Sequence, residues 1–451
     1  MKRTKNMLLS ALIFCSLPYT QCLAQIPELV KDELKTRVEQ GIYPSIALGI
    51  WNKGETHYYI YGKASRNPAQ EADKNTLYEI GDATQIYTAL LLARYVYGDS
   101  TRLGERIPPA LRDSSGQFPD TGITWKELAT HTSGLPSLPE KPGYPAKADP
   151  YAGYSRKELF TYTNLHSDPG QKKKYRYSIT GFGLLGELLS DIQKTDYNSL
   201  LKKDITEPLR LQHTFLEVPP GMRRHYATGY TDTIAEHWHF KALAAARGIK
   251  SNITDLLSFA ASFIESDTSL KGPASLTLKA HFNDRKGHKQ GLGWHFRGNV
   301  AFINGNTGGF HSFVALNPDR RTAVAVLANS GVNPVDDVAL YLADSLRNNI
   351  LKTPEPVAIP SGMLKQYAGS YQNNGLGASL EITYRDNKLY VSAPDIKPKV
   401  IYHYGHHRFF FKDLLARITF ETDGNDIPVG LLLRQNGREI LLIKDDNPGT
   451  D

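Results

Sequence analysis

The chain has 451 residues, 40% of them hydrophobic and 22% charged, which fits one large folded domain with a smaller one and excludes a disordered or fibrous protein. The formal charge of +7 falls to +4 when Lys2, Arg3 and Lys5 are set aside with the N-terminal segment, leaving 50 basic residues against 46 acidic ones. That excess is spread along the chain and gives no basis for a nucleic-acid partner.

In chain order, the first element is a targeting segment. Lys2, Arg3 and Lys5 form a positive start, Met7 to Leu17 an apolar stretch, and Cys22-Leu23-Ala24 a small-residue site before Gln25. This pattern predicts a cleaved signal peptide over residues 1–24. Its apolar run is too short to anchor in a bilayer, and no later segment is long and apolar enough for an integral membrane span. The expectation is a periplasmic or secreted protein, with a lipid anchor at Cys22 as the lesser alternative because Gln21 is a poor residue before a lipidated cysteine. Cys15 and Cys22 are the only cysteines, so the exported form would have no disulfide, thiolate metal site or cysteine nucleophile.

A polar amphipathic helix is predicted from Pro27 to about Gln40. Two strands follow, Ser45 to Trp51 and Thr56 to Gly62, with Asn52-Lys53-Gly54-Glu55 as a hairpin turn. The middle of the chain reads as helical, including Trp125 to His131, Ile179 to Ile192 and Asn252 to Glu265. Strands return at Gly291 to Phe296, Asn299 to Gly305, Gly308 to Leu316 and Thr322 to Asn329, and a helix from Val335 to Ile350 closes this part. Early strands, a helical middle and late strands predict a sheet built from both ends, with helices packed on it. Residues 353–362 carry three prolines and read as a linker, and 363–451 read as a small antiparallel β domain with turns at Asp386-Asn387 and Asn436-Gly437. The predicted division is therefore 1–24, 25–352, 353–362 and 363–451.

Several stretches, in order, resemble the penicillin-recognising serine hydrolases, a family of class C β-lactamases, DD-peptidases and related esterases. They are "LYEIGDATQIYTALLLA", "ITWKELATHTSGLP", "PGQKKKYRYSITGFGLLGELL", "EPLRLQHT", "ARGIKSNITDLLSF" and "NGNTGGFHSFVALNPDRRTAVAVLANS". The resemblance spans roughly residues 28 to 350 and implies an α/β (α+β) fold, an antiparallel sheet with flanking helices and a helical subdomain. The tail resembles the barrel-like β domain appended to many of these proteins.

The resemblance places a catalytic serine where this chain has Asp82, and a lysine one turn later where it has Gln85. Tyr177 and Ser178 match the second motif, but Ile179 replaces its asparagine. Asn306 stands before Thr307 and Gly308 where the family carries a cation. Acyl transfer by this route needs an activated nucleophile, a base touching it and an oxyanion hole. Only the hole, which uses backbone N–H groups at position 82 and on the strand around Gly308 and Gly309, can survive these changes. Asp82 with Gln85 three residues later also has the form of a helix capping box, a stabilising arrangement worth about 0.5–2 kcal/mol.

The expected function is thus a non-acylating pseudoenzyme that binds a peptide, a cell-wall fragment or a small acyl ligand in the old cleft. Its binding residues would be Gln85, Ser178, Asn306, Thr307, Gly308, Gly309 and His311. An acid/base hydrolase acting on an ester, lactone or amide through Asp82 and Tyr177 is the enzymatic alternative, and a scaffold working through its C-terminal domain is a third. His131 falls in the Thr-His-Thr-Ser-Gly signature, where the family histidine is structural. No cofactor or metal is expected: His237 and His239 share one face of an extended segment, but no further ligands accompany them.

Overall fold

The computed structural model describes residues 25–108, 122–138, 149–167, 174–265, 270–285, 287–344, 354–394, 396–412, 414, 416–435 and 438–445. The expected signal segment, the end of the helix expected to reach Ile350 and the expected Asn436-Gly437 turn lie outside them.

The Asn52–Glu55 connection closes as expected, because Lys53 (φ +51°) and Gly54 (φ +100°) take the left-handed pair of angles that a two-residue hairpin turn requires. The strand before it, Ser45–Asn52, is buried along all eight residues. It sits inside a nine-stranded sheet, paired on one side with Glu55–Arg66 and on the other with Thr322–Ala328. Beyond Thr322–Ala328 the sheet continues through His311–Asn317, Val300–Asn306, His295–Arg297 and the short strands Lys289–Gln290 and Phe282–Asn283. Both ends of the large domain therefore meet at its centre.

Side chains alternate between two cores. Ile46, Leu48, Ile50, Val324 and Val326 pack with Val30 and Leu34 of the helix Glu28–Glu39 and with Val338 and Leu342 of Asp336–Ala343. Ala47, Trp51, Ala325 and Leu327 face the opposite way, into the larger core that holds the helical region. Arg37, fully buried, ties the two outer helices together through Glu33 (2.8 Å) and both oxygens of Asp337 (3.0 and 2.6 Å).

One expected strand is mostly absent. Gly291 to Trp294 forms a turn, closed by the Gly291 N–H on the Trp294 carbonyl (2.8 Å), and the strand begins only at His295. Gly293 has φ +73° and lies against the Gln85 carbonyl, a conformation that ends strand pairing there.

After the proline-rich stretch, eight antiparallel strands close into a barrel, with Gly369–Asn373 pairing both Ala378–Arg385 and the final strand Arg438–Lys444. Asp386 and Asn387 both have positive φ, as their hairpin needs. A short helix, Ser361–Gln366, starts inside the segment expected to be linker, and Leu364 and Tyr367 join the barrel core beside Phe409 and Phe420. Closure leaves the barrel without an open sheet edge. No helix among the described residues is long and apolar enough to cross a membrane.

Candidate functional site

The site begins at a glycine. Gly81 has φ +51°, and a Cβ there would lie 2.6 Å from the Asn306 carbonyl oxygen and 2.7 Å from its nitrogen, so only glycine brings these two segments together. A 3-10 turn, Gly81–Ala83, then leads into the helix Thr84–Tyr95. Asp82 and Gln85, 4% and 0% exposed, sit at this helix mouth.

The expected capping box does not form. Asp82 makes no hydrogen bond to a backbone N–H of its own helix. Its carboxylate is gripped by Arg247, whose Nε donates to Oδ1 at 2.9 Å and whose Nη2 donates to Oδ2 at 2.8 Å. Arg247, at the end of the short helix Ala244–Arg247 and 6% exposed, also donates to Asn306 Oδ1 at 3.1 Å. A fork-on-fork charged pair outweighs one local cap, which is the physical reason the carboxylate turns away from its helix.

Gln85 continues the network. Its Nε2 donates to the Tyr177 hydroxyl at 2.9 Å and, more weakly, to Asp82 Oδ1 at 3.4 Å. Burial, and then the Asp82 charge, push the Tyr177 phenol well above its ordinary range. It is a protonated hydroxyl and not a base. Burial raises the cost of charging Arg247, but the adjacent carboxylate more than offsets it, so its guanidinium is held above its already high value. His295, whose ring lies 6.1 Å from that of Tyr177, is pushed down to about 4 by burial and by His288, so it adds no cation.

The structure therefore brings together Asp82, Gln85, Tyr177 and Asn306, around an arginine that the sequence reading missed. Its signal was present: a single Arg inside the apolar run "ALAAARGI" is buried by its surroundings, and a buried guanidinium requires a carboxylate. Thr307 is buried beside them with no partner for its hydroxyl. Trp238 roofs the site, its indole nitrogen 2.7 Å from where a Cβ on Gly308 would stand and its ring 5.7 Å from the Arg247 guanidinium carbon. Gly309 is packed against Gly229, where a Cβ would meet Gly229 Cα at 2.6 Å.

Two expected binding residues are otherwise engaged. Ser178 caps the helix Ile179–Gln193, accepting from the Gly181 N–H (2.9 Å) and donating to the Pro136 carbonyl (2.7 Å), so its hydroxyl is consumed by the fold. His311 is buried at the rim, with Nδ1 2.7 Å from the Ser330 carbonyl. His131 accepts from the Ser178 N–H at 3.1 Å, a structural contact. His237 and His239 turn to different partners, the Ala227 carbonyl and Asp149, and no metal-holding group of His, Cys, Asp or Glu occurs among the described residues.

Chemically, none of the described residues in the arrangement supplies an activated hydroxyl or an amine base. Both oxygens of the Asp82 carboxylate are committed to a guanidinium. Three polar atoms around it, Gln85 Oε1, Thr307 Oγ1 and Trp238 Nε1, are buried without partners among the described residues.

Comparison with known proteins bears on the fold and the family. A beta-lactamase from Escherichia coli (strain K12) is 26% identical over 392 residues, covering 76% of this chain and 100% of that protein, and one from Yersinia enterocolitica is 23% identical over 396 residues, covering 75% and 98%. Among solved structures, a class C beta-lactamase superposes with a TM-score of 0.60 at 22% identity, covering 71% of this chain and 96% of that one. A beta-lactamase/D-alanine carboxypeptidase from Pseudomonas syringae superposes equally well, with a TM-score of 0.60 at 22% identity and coverage of 71% and 98%. The tail, residues 353–442, matches a domain of unknown function (DUF3471). Residues 30–348, more than half of the sequence, match the Beta-lactamase family, and the chain belongs to that family.

Proposed function

We propose that this chain is a non-acylating member of its family, an exported pseudoenzyme that binds a peptide, cell-wall fragment or small acyl compound at the old cleft. One observation carries the reading: the Asp82 carboxylate, standing where the resemblance places the nucleophile, is held at 2.9 and 2.8 Å by Arg247. A hydrolase working through Asp82 would first have to pull that carboxylate off a buried guanidinium. It would then form an anhydride more reactive than an amide substrate. Tyr177, protonated and accepting from Gln85, offers no base to help. What the site retains is hydrogen-bonding capacity, in Gln85 Oε1, Thr307 Oγ1 and Trp238 Nε1. Unpartnered buried polar atoms of this kind suit a ligand that supplies the missing bonds. Export rests on the N-terminal segment, whose charge and apolar pattern is that of a signal peptide.

The test is direct. The intact protein is incubated with a fluorescent penicillin and its mass measured. The expected result is an unmodified mass, with activated esters turned over at equal, negligible rates by wild type and Asp82→Ala. A stable covalent adduct, or ester hydrolysis abolished by Asp82→Ala, sinks the proposal.

A further inference from the structure

A second cluster lies behind the Trp238 segment, outside the cleft. Glu79 and Lys250 face each other across the two-residue pairing of Tyr78–Glu79 with Lys250–Ser251, so their side chains leave the same face. Both are buried, 2% and 3% exposed. Opposite charges so placed ordinarily close on one another, yet here they are splayed. Lys250 Nζ donates to the Leu216 carbonyl at 3.0 Å, and Glu79 Oε1 accepts from the Tyr226 hydroxyl (2.8 Å) and the Trp238 N–H (2.9 Å). Glu79 Oε2 is buried with no partner. Of the three donors of the Lys250 ammonium, two are left over.

Beside this split pair is a cavity of about 250 Å³ walled by Glu217, Arg223, Tyr226, His237 and Lys250 among others. That is several times the ~30 Å³ share of one water, so a single bridging water does not fill it, and it is smaller than the ~300–1,000 Å³ typical of drug-sized pockets. Arg223 and Glu217 are exposed at its mouth and make no ion pair with another described residue. His239, also in the lining, is engaged by Asp149 at 2.7 Å. His237 is spent on the Ala227 carbonyl and stacked on Tyr226, and burial lowers its basicity. The open charges of the lining are thus two cations, Lys250 and Arg223, and one anion, Glu217.

We propose that this cavity is a second ligand site, for a free amino acid or a zwitterion of that size. Its carboxylate sits on Lys250 and Arg223, and its ammonium faces Glu217. A neutral ligand with separated charges engages the lining cations and the lining carboxylate together, whereas a simple anion or cation engages one and leaves the other bare.

The intact chain is titrated calorimetrically with glycine, alanine and glutamine, with acetate and methylammonium as half-ligands. At least one amino acid is expected to bind saturably, with each half-ligand about tenfold or more weaker. Arg223→Ala and Glu217→Gln, both at the open mouth where the fold does not depend on them, should each weaken binding by about tenfold. Thr307→Val, in the cleft, should leave it unchanged, which separates this site from the one proposed above. The proposal is overturned if no amino acid binds, if acetate binds as well as the amino acids, or if the two mouth variants titrate like wild type.

Discussion

Arg247→Met should be among the most damaging single substitutions in the large domain. It strands the Asp82 carboxylate, 4% exposed, in a site where no other cation lies within ion-pair distance among the described residues. The two side chains are only 7% and 6% exposed, so solvent screens them little. Two unit charges ~4 Å apart interact by ~4 kcal/mol at an effective dielectric of ~20. Breaking a buried pair from one side typically costs about 3–5 kcal/mol, because the remaining charge is left uncompensated. Removing both partners, as Asp82→Ala/Arg247→Met, takes away the desolvation burden with the attraction and should return stability to within about 1–2 kcal/mol of wild type. The assay is urea denaturation followed by tryptophan fluorescence. All four tryptophans, Trp51, Trp125, Trp238 and Trp294, lie before residue 353, so the signal reports the large domain and not the barrel. A coupling energy of about 2 kcal/mol or more between the two positions is expected. If the double variant is as unstable as the sum of the singles, the pair is incidental and the argument built on it fails.

Other expectations follow from single contacts. Gly81→Ala, forced to φ +51° and into the Asn306 backbone at 2.6 Å, should cost on the order of 2–4 kcal/mol in the same assay. Gly41→Ala, at φ +81° but in open space, should cost only ~1–2 kcal/mol, and equal losses at the two sites would refute the steric reading. Asp336, beside the ion-paired Asp337, has its carboxyl raised to about 6 by burial and by that neighbour. A raised acid binds its proton more tightly folded than unfolded, so it removes stability as pH rises from about 4 to about 6. Asp336→Asn should flatten that slope when denaturation is repeated across the window, and an unchanged slope counts against the assignment.

Local patterns made most of the fold legible before any coordinates. The Asn52–Glu55 and Asp386-Asn387 turns need positive φ, and their residues tolerate it. Ser45–Asn52 reads as a continuous apolar run because it is buried on both faces. Reasoning from neighbours failed where the deciding partner was distant. Asp82 and Gln85 have the spacing of a capping box, and three residues of sequence cannot reveal that a guanidinium 165 positions away claims the carboxylate. Ser178 carries two local signals. Its motif suggested a ligand contact, while its place before Ile179 already fitted a helix cap. Gly291 to Trp294 resembled a strand by composition, but its two glycines permit the turn that presses Gly293 against the Gln85 carbonyl.

Asp82, Gln85, Tyr177 and Asn306 are best understood as one network centred on Arg247. Its Nη2 touches both Asp82 and Asn306, and Gln85 lies between Asp82 and Tyr177. With that guanidinium in place, a lysine at position 85 or 306 would bring a second cation into a buried space already neutralised by a single carboxylate, and like charges there repel with little screening. A lysine therefore cannot be introduced at either position alone without cost. Gln85→Lys and Asn306→Lys should each destabilise the large domain by about 1–3 kcal/mol in the wild-type background, by desolvation and repulsion. In an Arg247→Ala background, where Asp82 lacks a partner, the same Gln85→Lys should stabilise instead, because the new ammonium can take over the stranded carboxylate. Paired urea titrations of the four proteins that combine Gln85→Lys with Arg247→Ala measure that change of sign. If Gln85→Lys is equally harmful in both backgrounds, Arg247 is not what excludes a cation from the site, and the substitutions have to be explained one by one.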